Sequence, residues 1–176
     1  MRIFISYASV QRELAMQICS FLEAQGKQCW IAPRDVPPGT NYGEEIIKGL
    51  DECDGGLLVY DKAANESQHV LREVERAVSK SLPIVVYRVE DVMPTKAMEY
   101  FLYSIQWLDA KEGGEVSLQE IDRALNDRVA DATEKKKAAE EETAELAEEK
   151  VLIPMAGSVE SLNAAIATSL LMYEAH

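Results

Sequence analysis

A chain of 176 residues with 47% hydrophobic content is long enough for one domain with a proper core plus appendages. Its net charge of −13, with no segment forming a basic stripe, argues against a binder of the phosphate backbone, so no nucleic acid is expected as partner. No apolar run reaches the about 18 residues a membrane span needs, and Met1 leads straight into Arg-Ile-Phe-Ile-Ser-Tyr, which reads as a strand and not a signal peptide. The expectation is a cytoplasmic protein with no membrane partner. The cysteines Cys19, Cys29 and Cys53 lack metal spacing, so no metal site is expected; they suit a reducing compartment and core positions.

Strand and helix signals alternate from the start. Ile3 to Tyr7 is a short apolar strand. Ser9 is placed to cap a helix whose stripe runs Leu14, Ile18, Phe21, Leu22 and which ends at Gly26. Gln28 to Ile31 is a second strand. It empties into a loop stiffened by Pro33, Pro37 and Pro38 and closed by Gly39. The loop carries Arg34 and Asp35 just past a strand end, where open α/β sheets place their ligands. Two readings of that pair stand side by side: a ligand contact, or a salt bridge that fixes loop shape.

Tyr42 to Glu52 is helical, with Ile46, Ile47 and Leu50 on one face. Gly55 to Tyr60 is the third strand. Asn65 and Gln68 have capping-box spacing ahead of a helix to about Lys80. Pro83 to Tyr87 is a continuous apolar run of the kind buried in a parallel sheet. A short helix over Lys96 to Tyr103 precedes a fifth strand, Ile105 to Leu108. Gly113-Gly114 breaks the chain. A last helix begins near Ser117, with Leu118, Ile121, Leu125 and Val129 on its stripe. Five short strands alternating with helices predict an α/β fold, a five-stranded parallel doubly wound sheet of flavodoxin type.

This domain takes residues 1–130. Residues 131–150 are Ala, Glu and Lys with eight acids against four lysines. That composition predicts a solvated helical arm or a disordered linker, and no a/d seam supports a coiled coil. Residues 151–176 read as strand, turn and helix, with Leu162, Ile166, Leu170 and Tyr173 at helical spacing. Such a short piece cannot fold alone.

No phosphate loop, dinucleotide glycine fingerprint or zinc spacing occurs, and His69 and His176 form no nucleophilic system. Chemistry must then rest on carboxylates and loop residues. On the helix that runs to about Lys80, Val70, Val74, Ala77 and Val78 make the buried stripe. At about 100° per residue, Glu73 falls roughly 60° from Val70, at the stripe margin, where a carboxylate can face a cleft. Pairing with Arg76 or His69 is the plainer account, and the same geometry brings Glu66 to that flank.

Four blocks resemble a bacterial Toll/interleukin-receptor (TIR) domain over residues 1–128. They are Phe4-Ile5-Ser6-Tyr7-Ala8-Ser9, then Cys29-Trp30-Ile31-Ala32-Pro33-Arg34-Asp35 with Pro38-Gly39, then Ser67 with Val70, Glu73 and Ala77, and Gln106-Trp107-Leu108-Asp109-Ala110. The resemblance implies the five-stranded flavodoxin-like TIR fold with a C-terminal helical extension. It implies cleavage of NAD+ at the nicotinamide–ribose bond in signalling or defence, with NAD+ as substrate and no bound cofactor. Glu73 matches the family's catalytic glutamate. Arg34 would meet the pyrophosphate or ribose, with Asp35 beside it, and Tyr7, Ala8, Ser9 and Tyr42 would line the pocket. The proline loop matches the family's BB loop, through which other TIR domains would be partners by self-association. A non-enzymatic TIR interaction module is the second function the resemblance implies. The family usually has an acid where Gln11 stands and often an aromatic where His69 stands.

Ile153-Pro154-Met155-Ala156-Gly157-Ser158-Val159-Glu160-Ser161-Leu162-Asn163 and the residues to Glu174 resemble the C-terminal motif of SpoU-type (SPOUT) RNA methyltransferases. The rest of that fold is missing, so this resemblance implies a fused or engineered remnant. An S-adenosylmethionine-dependent methyltransferase fragment stands only as a remote alternative.

Overall fold

The computed structural model describes residues 1–110 and 117–151. The segment with Gly113-Gly114 and the methyltransferase-like tail beyond Val151 lie outside the described residues. The chain divides into two units, Met1–Lys135 and Lys136–His176.

The first unit is built on five parallel strands: β1 (Arg2–Tyr7), β2 (Gln28–Ile31), β3 (Gly55–Tyr60), β4 (Ile84–Arg88) and β5 (Trp107–Asp109). Their order is β2-β1-β3-β4-β5. Ile3 pairs with Cys29 on one side and Gly55 on the other, and Val86 pairs with Trp107 at the far edge. The helices are α1 (Arg12–Ala24), α2 (Tyr42–Asp51), α3 (Lys62–Glu66), α4 (Gln68–Ser79), α5 (Lys96–Leu102) and α6 (Leu118–Val151).

Side-chain alternation along the strands divides the core into two layers. Ile3, Ile5, Leu57 and Val59 point to one face, where Ala15, Ile18 and Leu22 of α1 and Ile121 and Leu125 of α6 cover them. Phe4, Leu58, Tyr60 and Val86 point to the other, under Ile46 and Leu50 of α2, Val70 and Val74 of α4, and Met98 and Leu102 of α5. Helices on both faces of an all-parallel sheet make the doubly wound α/β architecture expected from the alternating pattern. Lys27, in the turn before β2, pairs with Asp122 of α6 and ties that helix to the sheet edge.

Two capping expectations are corrected. Ser9 makes no side-chain cap; it opens a short 3-10 turn, Ser9–Gln11, and Gln11 then precedes α1 without a capping bond. Nor does Asn65 cap the fourth helix. Its amide donates to the Met93 carbonyl at 3.0 Å and accepts from the Thr95 amide at 2.8 Å, so it fastens the loop before α5. Two helices replace the expected one: Asp61 caps α3 and Ser67 caps α4 through the Val70 amide. Both have the short oxygen-bearing side chain that an N-cap needs.

Residues 136–151 of the second unit are helical, as the C-terminal part of α6. Their described side chains, through Leu146, are exposed. An alanine, glutamate and lysine composition favours helix and offers no apolar face to bury.

Under the α2 face, Trp30 of β2 stacks on Phe4, ring centroids 4.9 Å apart and planes 10° from parallel. Gly49 of α2 lies directly against that indole, and a Cβ there would meet the ring at 2.4 Å. Gly49→Ala should therefore push α2 off the sheet. We expect a loss of about 2 kcal/mol, read in thermal melts as a Tm lower by roughly 5–10 °C. An unchanged Tm would show that Trp30 moves aside at no cost.

Candidate functional site

In an open parallel sheet the strand carboxyl ends form a crevice where the winding reverses, here between β1 and β3. A cavity of about 490 Å³ opens at this point, within the usual range for small-molecule sites. The end of β1 and its exit contribute Tyr7, Ala8 and Ser9 to its wall; the exit of β2 contributes Ala32 and Pro33. Tyr42 enters from the first turn of α2, and His69 and Glu73 from α4.

Each wall residue is held by a local cause. Tyr7 donates its hydroxyl to the Ala32 carbonyl at 2.5 Å, fastening the exits of β1 and β2 together. The loop that follows β2 contains a cis Ala32–Pro33 peptide and exposed Pro37 and Pro38. It ends at Gly39 with φ +81°, a left-handed conformation that favours glycine. Asn41 then caps α2, accepting from the Gly43 amide at 3.0 Å, and sets Tyr42 at the cavity mouth. Gln11 donates to Asp61 at 2.9 Å and so bridges the β1 and β3 exits.

Among the described residues, Glu73 is the one carboxylate in this wall. Its Oε2 accepts a 2.5 Å hydrogen bond from the hydroxyl of Ser6, a buried residue on β1. Burial pushes its carboxyl up to about 7, and the Ser6 bond only partly opposes that shift. The Tyr7 phenol is raised mainly by burial, lowered by Arg12 and raised further by Glu73; the Tyr42 phenol is raised by burial, then by Glu73 and Tyr7. The three groups thus share one electrostatic environment. Arg76, offered from helix spacing as a partner for Glu73, pairs instead with Asp51 at 3.6 Å. Glu66 is exposed at the end of α3 and does not line the cavity.

Arg34 and Asp35 are not brought to the cavity wall. The Arg34 guanidinium turns back over α1 and β2. It pairs with Glu23 at 2.8 Å and Asp35 at 2.9 Å and donates to the Cys29 carbonyl at 2.8 Å. Asp35 also accepts from the Ile31 amide at 2.8 Å. The pair shapes the loop, which is the second of the two readings open from sequence. Ser6 is the site residue that sequence reasoning missed. Its signal was available: a lone hydroxyl on the α4-facing side of a strand whose other inward positions are apolar.

The profile of the TIR domain family matches residues 3–126. The chain belongs to that family. Among solved structures, this TIR chain is similar to the TIR domain of the Toll-related receptor TRR-2 from Hydra magnipapillata, at 18% identity and a TM-score of 0.56, over 74% of this chain and 97% of that one. It is also similar to the CMP N-glycosidase BcmB of Clostridium botulinum, at 15% identity and a TM-score of 0.51, over 69% of this chain and 99% of that one. A 2-deoxyribosyltransferase from Bacillus psychrosaccharolyticus aligns at 9% identity and a TM-score of 0.50, over 69% of this chain and 90% of that one. At such identities the likeness is one of fold. No curated protein matches this TIR sequence. Among the described residues, no helix is long and apolar enough to cross a membrane.

Proposed function

We propose that this TIR domain cleaves NAD+ between nicotinamide and ribose, releasing nicotinamide and ADP-ribose or a cyclic isomer. The observation that carries the reading is Glu73: a carboxylate set in the crevice of the sheet, oriented by Ser6 and poised near neutral pH. In the reaction the C1′–N bond breaks and its electron pair leaves with nicotinamide, which departs as a neutral base. The ribose becomes oxocarbenium-like, and the Glu73 carboxylate stabilises that positive charge. Water then adds at C1′ and gives up a proton, or an atom of the same ligand closes the ring. The same fold accommodates a CMP N-glycosidase and a 2-deoxyribosyltransferase, so the architecture is compatible with a reaction at a nucleoside sugar. NAD+ is the substrate in this reading, and no resident cofactor takes part.

Arg34, which the resemblance placed on the pyrophosphate, is engaged with Glu23 and Asp35. In this proposal Tyr7, Ala8, Ser9 and Tyr42 do the holding. The test is direct: incubate the purified chain with NAD+ and follow nicotinamide by chromatography. Release of nicotinamide supports the reading. Its absence at all protein concentrations would leave the non-enzymatic TIR module as the function.

Self-association through the proline loop belongs to the same proposal. Pro37, Pro38 and Gly39 are exposed on a loop whose base is fixed by Asp35, and a stiff, exposed loop loses little entropy on docking. Specific activity should rise with protein concentration, and Pro38→Ala should lower it. Constant specific activity across a wide dilution series would rule out assembly of the site between copies.

A further inference from the structure

The geometry points to a binding site for one thiophilic divalent cation of the zinc class between α1 and β2, with Cys19, Glu23 and Cys29 as ligands and Arg34 as the cation that now bridges two of them. The two sulfurs and a Glu23 carboxylate oxygen all lie within 4.8 Å of one another. Donors around tetrahedral zinc stand about 3.5–3.8 Å apart, given metal–sulfur and metal–oxygen bonds of about 2.3 and 2.1 Å. Two thiolates and one carboxylate suit zinc and do not suit magnesium or calcium. Water would take the fourth position.

What bridges the donors is informative. The Nη1 of Arg34 lies 2.8 Å from Glu23 Oε1 and 3.2 Å from Cys19 Sγ, so one cationic nitrogen already bridges two of the three donors. The cluster is built for positive charge. Arg34 is reached from outside, with its side chain 34% exposed on the β2–α2 loop. Exchange for a metal needs that side chain to turn outward, while Cys19 and Cys29 stay in place on α1 and β2. Both thiols lose their protons to solvent as the metal binds. The Cys29 thiol now donates to the Cys19 carbonyl at 3.8 Å, a bond that metal ligation would replace.

This site is separate from the cavity. Cys19 and Cys29 pack in the layer under α1 and α6, whereas Glu73 projects from α4 on the opposite face. No linear motif announces it, because one cysteine comes from a helix and the other from the next strand.

The experiment uses the full chain, chemically reduced, with Co2+ alone and then Zn2+ alone. A thiolate-to-cobalt charge-transfer band should appear and be bleached by zinc. Cys19→Ser and Cys29→Ser should each weaken zinc binding about a hundredfold, and Glu23→Gln, at an exposed position, about tenfold. Arg34→Gln removes the internal competitor and should tighten binding about tenfold. A folded chain with no charge-transfer band overturns the proposal. So does a zinc affinity that is unchanged in both Glu23→Gln and Arg34→Gln, two surface substitutions that leave the core intact.

Discussion

Glu73→Gln is expected to cut nicotinamide release from NAD+ by about 10²- to 10³-fold, the usual effect of deleting one group that stabilises transition-state charge. The substitution keeps the shape of the side chain and can still bond to Ser6, so substrate binding should change far less than turnover. The pH profile supplies a second signature. Only the ionised carboxylate can stabilise an oxocarbenium ion, and burial pushes Glu73 up to about 7. kcat/KM should therefore rise as pH increases through about 7 and level off above it. The residual activity of Glu73→Gln should show no such step. Full turnover in the glutamine variant would remove Glu73 from the mechanism.

The same carboxyl weakens the fold at the site of its proposed role. Its folded value of about 7 lies above the ordinary glutamate value of 4.5, because burial disfavours the charged form. For an acid raised in this way the native state binds the proton more tightly than the unfolded chain. Stability from this group is fully present below about 4.5, falls as pH rises toward 7, and stays lost above it. The size of the loss is about 3 kcal/mol. Glu73→Gln should accordingly be more stable than the parent at pH 8, by a Tm difference of about 10 °C, and show little of that advantage near pH 4.5. Other carboxylates titrate alike in both proteins and cancel. An advantage that does not vary with pH would mean that Glu73 is ordinary in its titration.

Much of this fold could be read from the chain because its strands are short apolar runs separated by clear breakers. The predicted segments for β2 and β3 coincide with those observed, and those for β1, β4 and β5 differ by one or two residues. What the chain did not decide falls where a residue's choice depends on distant partners. Asn65 has the chemistry of a cap, and nothing local says that it will instead fasten Met93 and Thr95, 28 and 30 residues away. Arg34 follows a strand end, where ligand contacts are common, but its direction is decided by Glu23 on α1 and the Cys29 carbonyl. Glu73 was legible because helical spacing put it at the edge of a buried stripe. Choosing it over Glu66 needed the cavity itself. Ser6 carried a signal, a lone hydroxyl among apolar inward positions, but its partner Glu73 is 67 residues away and only the fold brings the two together.

The Ser6–Glu73 bond joins residues 67 positions apart, between β1 and α4. Synthesis proceeds from the N-terminus at about 5–20 residues per second, so β1 is made seconds before the carboxylate that it orients. During that interval the chain has no complete cavity wall, and a fragment ending before α4 cannot acquire one. For the proposed cleavage of NAD+, chemistry would be withheld from unfinished and truncated copies by chain order alone.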